Sequence, residues 1–373
     1  MQTDLLPNAQ KDILPDFLYL FHRFGARQRA LCNLLSRFDD NPCRARATLE
    51  SLDPNENLFI ETPARNPAKI DALIEADLEW AEQDRNHLIW YADPAYPALL
   101  RQTTGCPLLL YASGNPALLH EPQVAVVGSR NCTPGGAQNA RDFAAELAAA
   151  GLVVTSGLAM GIDREAHVGA LSKGQTIAVN ATGLDQVYPR QNRRLAAQIR
   201  ELGLLISEFP LGTAARAALF PQRNRIISGL SIATLVVEAT LRSGSLITAR
   251  LAAEQDRDVY AIPGSIHNPQ SRGCHQLLRD GARLAETPSD LTREFDDLFC
   301  FVIDQRNPRP DQTRNNADCE QSTVLEAVGF DPVSTDTIVE RSGLTVDKVS
   351  SMLVLLELDE LIQTAPGGCY VRI

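Results

Sequence analysis

The sequence predicts an α/β fold: a Rossmann-like parallel sheet core, with a small helical domain before it and a winged-helix domain after it. Three observations predict it. From Val124 onward, short β-branched runs alternate with helical stretches. Those runs are apolar almost without interruption, as strands covered on both faces must be. At 373 residues the chain is long enough for two or three domains.

Taken in order, residues 15–38 and 68–84 carry helical patterns, separated by breaks at Asn41-Pro42 and Asp53-Pro54-Asn55. Residues 1–90 therefore read as a small helical, SAM-like domain. Residues 93–119 form a proline-rich connector, in which the apolar segment 108–111 reads as an extra edge strand. The runs at 124–127, 152–155, 176–179, 204–206, 234–237 and 259–262 read as strands. Helices at 139–150, 163–171, 193–202, 245–255 and 274–279 fill the gaps and complete the βαβ rhythm of a domain over 91–300. Residues 301–318, polar and broken by proline, read as a linker. Beyond it, helices at 320–328, 335–342 and 346–358 and strands at 361–364 and 369–373 give the winged-helix order over 319–373.

Charge is spread unevenly over these parts. The chain carries a formal −11, which argues against a protein that coats nucleic acid over its whole surface. Residues 1–120 and 291–373 are acidic, whereas 121–290 hold 17 basic against 15 acidic groups, and 16 of the 17 are arginine. Arginine's planar fork suits bidentate contact with phosphate. The last 54 residues set Arg341, Lys348 and Arg372 against nine carboxylates, so a phosphate backbone would be repelled there and the winged helix reads as a protein-contact module. The start lacks a basic region followed by an apolar one, and no run is long enough to cross a membrane, which points to the cytoplasm. Eight cysteines without a CxxC pair read as reduced thiols. Cys274-His275 is the one adjacent Cys/His pair, and no metal is assigned to it.

In a doubly wound sheet, ligands bind outside the carboxyl ends of the strands. Those ends carry Gly128-Ser129-Arg130, Ser156-Gly157, Thr182-Gly183, Glu208 and Glu238. Gly128, Ser129 and Arg130 join a strand to a helix, where backbone amides and an arginine hold an anion. Ser156 and Gly157 permit close backbone approach, and Asp163 reads as a cap for the next helix, with His167 a packed histidine. Residues 220–231 set Arg223, Asn224 and Arg225 beside a glycine-bearing turn, after a loop at 210–219 that must fold back to bring them to the rim. An ion pair of these arginines with Glu208 or Glu238 is the competing reading. Ser243, Gly244 and Ser245 open another helix. Tyr188 and Phe220 are the aromatics placed in rim loops for base stacking. A dinucleotide site is disfavoured because the glycines are wrongly spaced and the second strand ends without an acidic residue; no Walker A loop occurs. No cofactor and no catalytic residue is expected.

Taken together, Gly128-Ser129-Arg130, Ser156-Gly157-Leu158-Ala159-Met160-Gly161-Ile162-Asp163, Thr182-Gly183-Leu184-Asp185, Val187-Tyr188-Pro189, residues 220–231, Ser243-Gly244-Ser245-Leu246 and Gly273-Cys274-His275 resemble the DprA/Smf family of DNA-processing proteins. The resemblance covers about residues 93–287. It implies a cytoplasmic, non-enzymatic protein that binds incoming single-stranded DNA during natural transformation, protects it and loads the RecA recombinase onto it, as a homodimer. By motif, Arg130 would contact phosphate from the first loop, and Arg223, Asn224 and Arg225 would line the same pocket with Ser243, Gly244 and Ser245. Lys173 matches a further basic position of the family. Leu219 and Asn180 depart from the family pattern. Two alternatives remain. One is a nucleotide phosphoribohydrolase of the LOG type using Glu238 and Arg130, although the PGGxGTxxE stretch of those enzymes is missing. The other is a nucleotide-sensing adaptor.

Overall fold

The computed structural model describes residues 13–25, 27–51, 67–293, 323–325, 327–329, 333–358, 361–365 and 369–372. The chain divides into two compact units, 1–296 and 297–373.

In the first unit, α1 (Leu14–Phe24), α2 (Gln28–Leu35), α3 (Pro42–Ser51) and α4 (Pro67–Ala81) precede β1 (Asn86–Trp90), α5 (Ala98–Arg101) and β2 (Leu109–Gly114). The helical pattern read over 15–38 breaks at Gly25, whose φ of 56° ends α1. Asn41-Pro42 starts a helix: proline suits a first turn, and the Asn41 side chain accepts from Arg44 N at 3.1 Å. Asp53-Pro54-Asn55 lies outside the described residues.

The alternating part follows as β3 (Gln123–Val127), α6 (Pro134–Ala149), β4 (Val153–Ser156), α7 (Ile162–Lys173), β5 (Thr176–Val179), α8 (Arg193–Leu202), β6 (Leu204–Ser207), α9 (Leu219–Leu230), β7 (Ala233–Val236), α10 (Ser245–Glu254), β8 (Asp258–Ala261), α11 (Arg272–Arg279) and β9 (Arg283–Leu284). One nine-stranded sheet results, in the order β1-β2-β6-β5-β4-β3-β7-β8-β9. From β6 to β9 all pairs are parallel. β3, β4, β5 and β6 step one way, and β7 returns to the far side of β3. The strand order therefore reverses at β3 and β7, opening a crevice at their carboxyl ends.

Three features differ from the sequence reading. The segment at 108–111 is indeed an added strand, but β1 pairs outside it, Trp90 facing Leu109 and Asn86 facing Ser113. Nothing in Asn86-His87-Leu88-Ile89-Trp90 alternates, which is why it passed unread. The boundary at residue 90 falls between two strands of one sheet. α1 to α4 share a core with that edge, where Phe17, Leu20, Ile70, Trp90 and Leu109 pack together. Lastly, 219–230 form a helix, not a turn. Gly229 lies inside it, where a Cβ would come within 2.8 Å of Leu100 Cδ1, so the glycine lets α9 approach α5.

In the second unit, residues 323–325 and 327–328 are helical, followed by β10 (Val333–Ser334), α12 (Thr335–Ser342), α13 (Val346–Leu358), β11 (Ile362–Ala365) and β12 (Cys369–Arg372). Ser334 caps α12 by accepting from Thr337 N. The sheet order is β10-β12-β11, all antiparallel, around Val324, Ile338, Val349, Leu353 and Ile362. This is a winged-helix arrangement. The linker read over 301–318 lies outside the described residues.

One buried polar cluster clips the helical layer to the sheet. Asp77 of α4 accepts from Tyr111 Oη of β2 at 2.8 Å and lies 2.7 Å from His22 Nε2 of α1, with Asp77 only 2% exposed. Removing the carboxylate leaves two buried donors unpaired. Asp77→Ala is expected to destabilise the chain by about 3 kcal/mol, and Tyr111→Phe by about 1 kcal/mol, read from urea unfolding midpoints.

Candidate nucleic-acid interface

Three loops at the carboxyl ends of β3, β4 and β7 are tied together through their main chains. Ser129 N donates to Glu238 O at 2.7 Å, and Ile162 N donates to Ser129 O at 3.1 Å. Thr133 then caps α6 by accepting from Gly136 N at 3.0 Å. Both carboxylate oxygens of Glu238 are taken by Thr133, one from its N at 2.9 Å and one from its Oγ1 at 2.6 Å. Glu238 thus braces the start of α6, where a negative charge also suits the helix dipole. That engagement weighs against an enzyme built on Glu238.

α9 enters the rim from the side after its loop has folded back, Gly212 N donating to Asp185 Oδ1 at 2.9 Å and Gly183 N to Thr213 O at 3.0 Å. It delivers Arg223, 3% exposed, onto the backbone of Gly157. A Cβ on Gly157 would lie 2.0 Å from Arg223 Nη1, so only glycine admits the guanidinium here. Arg223 Nη1 donates to Val179 O at 2.6 Å, while its Nε has no partner. Burial lowers its pKa to about 10; Asp163 opposes that shift and Arg130 adds to it. It stays protonated at neutral pH. Asp163 is itself pushed above the ordinary aspartate range by burial and pulled back by Arg223. It does not cap α7: the cap position is Gly161, and Asp163 Oδ2 accepts only a 3.4 Å bond from Ala159 N.

The mouth of the site is aromatic and cationic. The Arg130 guanidinium lies 4.9 Å over the Phe220 ring, and Phe220 meets Tyr188 at 5.5 Å between centroids. Arg130 is exposed and makes no ion pair among the described residues. At the opposite wall α10 begins, with Ser243 Oγ and Ser245 Oγ 2.7 Å apart and Asn224 Nδ2 donating to Gly244 O at 3.5 Å. Between these walls is a cleft of about 700 Å³.

Of the residues picked from sequence, Gly128, Ser129, Arg130, Tyr188, Phe220, Arg223, Asn224, Ser243, Gly244 and Ser245 line this one cleft. The rest sit elsewhere. Ser156 is buried and donates to Val126 O at 2.7 Å. Gly157 lies beneath Arg223. Arg225, two residues on and so on the other side of α9, is turned to Glu208, Nη2 to Oε2 at 2.5 Å, so the competing ion-pair reading describes it. Lys173 is exposed in the last turn of α7, which runs back from the rim toward the amino ends of the strands. Sequence reasoning did not place Asp163, Asn131, Thr240, Thr248 or Gln270 on the lining. Thr240 was within reach, being two residues past Glu238 at a strand end. Gln270 arrives from beyond β8 and carries no local signal. Cys274 donates toward Val236 O, whereas His275 bonds Gly264 O; the two point apart.

His167 packs below Arg223. Thr176 Oγ1 donates to Val154 O, so it accepts from His167 Nδ1 at 2.7 Å, and Nε2 is left bare. Burial, helped by Arg223, lowers the His167 pKa to about 3 from 6.5. The neutral ring contributes stability in full above the unfolded value, and that contribution is lost as pH falls from 6.5 toward 3. Between pH 7 and pH 5 the wild type is expected to lose about 2 kcal/mol relative to His167→Gln, read as the difference between their urea unfolding free energies at each pH.

Known proteins share this sequence pattern and fold. A family model described as DNA recombination-mediator protein A matches residues 87–296, and a model of the DprA winged helix domain matches 308–368. Protein Smf of Escherichia coli K12 is 43% identical over 307 residues, covering 80% of this chain and 81% of that protein. The X-ray structure of DNA processing protein A from Streptococcus pneumoniae aligns with a TM-score of 0.64 at 36% identity, covering 76% of this chain and 98% of that one. A structure of DNA processing protein A from Helicobacter pylori, titled for its single-stranded DNA binding mode, aligns with a TM-score of 0.51 at 32% identity, covering 53% and 92%.

Proposed function

This chain belongs to the DNA recombination-mediator protein A family, the DprA/Smf proteins, and from that premise we propose that its rim cleft holds single-stranded DNA. The protein then shields incoming DNA in the cytoplasm during natural transformation and loads the RecA recombinase onto it, as a homodimer and without catalysing a reaction itself. The observation that carries this reading is the convergence of Arg130 and Arg223 on one cleft whose mouth is formed by Phe220 and Tyr188. Two arginines supply sequence-independent attraction for phosphate. The rings offer a face to any base that is not already stacked, which favours a single strand over a duplex.

The polar lining around the two cations is made of serines, threonines, Asn131, Asn224, Gln270 and Asp163, which supply hydrogen-bond partners to a phosphate backbone that passes through. Asp163, drawn toward Arg223, keeps the floor from becoming a plain cationic hole.

Fluorescence anisotropy of labelled oligo-dT and of a matched duplex, across a salt series, tests the proposal. The wild type is expected to prefer the single strand, Arg130→Ala to lower the salt slope by about 0.7, and Phe220→Ala to lose about 2 kcal/mol of binding. Equal affinity for duplex, or no change in Arg130→Ala, would overturn it. RecA loading is checked separately, by whether the protein speeds RecA assembly on an oligo-dT strand and Arg130→Ala does not.

A further inference from the structure

A second cleft, of about 520 Å³, runs along α8, bordered by Arg190, Arg193 and Arg200 and floored in part by Ala196 and Ala197. Four arginines fall within residues 190–200, and the function of the rim cleft uses none of them. Arg193, Ala196, Ala197 and Arg200 share one face of the helix by their spacing. The two arginines stand roughly 10 Å apart along its axis, with only small side chains between them. Such a groove takes an extended chain that presents a charge to each end.

Its charge is net positive. Among the described residues, Arg190, Arg193 and Arg200 make no ion pair. Against the three arginines the lining holds one carboxylate, Asp185, whose Oδ1 accepts from Gly212 N. Arg200 is held in place, its Nε donating to Ser113 Oγ and its Nη2 to Asp84 O, both at 2.9 Å. Arg193 is exposed at the other end. One cation is thus fixed and the other is free to adjust.

The two clefts share no lining residue but flank one short segment, in which Val187 lines the groove. Tyr188, 49% exposed, lines the rim cleft, and Arg190, two residues on, lines the groove. Resting on the reading of the rim cleft as a single-strand site, we propose that the α8 groove is a second phosphate station for the same strand. The strand leaves the rim over Tyr188, and Arg193 and Arg200 take successive parts of its backbone. Continuity through Tyr188 is what favours nucleic acid over an acidic peptide, which would need no path to the rim.

The test uses the full chain with two labelled oligo-dT strands, one of about 6 nucleotides and one of about 20, spanning the range that single-strand modules cover. Arg193→Ala is the main variant, because its side chain makes no hydrogen bond or ion pair among the described residues. It is expected to bind the short strand as the wild type does, and the long strand about 5-fold more weakly with a salt slope lowered by about 0.7. Arg200→Lys, which keeps the charge but not the paired hydrogen bonds, is expected to fall between them on the long strand. Arg130→Ala loses affinity for both lengths. If the wild type and Arg130→Ala differ but Arg193→Ala matches the wild type at both lengths, the second station is overturned and the rim reading stands. If the wild type binds neither strand, the rim reading itself fails. Displacement of the long strand by poly-glutamate that is lost in Arg130→Ala and unchanged in Arg193→Ala would likewise count against the groove.

Discussion

Arg223 is the constraint on which the rim depends. A guanidinium buried without partners is strongly unfavourable, and here it is offset by the Val179 carbonyl, by Asp163 and by the absence of any side chain on Gly157. Each partner comes from a different element, so the sheet must close correctly before the cation is tolerated. Arg130 then adds a second positive charge that disfavours the first. Asp163 sets one carboxylate against both guanidiniums, so the rim balances two like charges in tension with a single opposite one.

The sheet topology decides where this tension sits. β3 and β7 are neighbours whose following chains leave in opposite senses, so their carboxyl ends gape. Glu238 and Thr133 fasten one lip of that gap and the Ser129 amide fastens the other. The helical layer of α1 to α4 packs on the far β1–β2 edge, away from the cleft. Overall acidity is compatible with this, because the arginines are concentrated where the carboxylates are already engaged.

The winged helix shows the same principle in reverse. α13 occupies the place of a recognition helix, yet Val346 and Val354 are each 56% exposed on it, and the domain as a whole is acidic. A helix that reads a duplex needs cations at those positions. The sequence reading of this domain as a protein-contact module stands as our proposal.

Much of this was legible in the chain itself. The apolar runs identified each of the six central strands to within a residue or so, because a strand buried on both faces leaves no other pattern. Gly128, Arg130 and Ser243 could be placed at the rim because strand ends dictate it. β1 could not be read, since its five residues take their order from pairing with β2. Nor could Arg223 and Arg225 be told apart: two residues apart in sequence, they lie about 200° apart around α9, one under the cleft and the other against Glu208. The sequence by itself determined the class of fold, the rim and the kind of charge gathered there, because these follow from periodicity and composition. Only the tertiary structure decided which arginines face the ligand and which are spent on ion pairs, because that depends on what each turn of a helix meets across space.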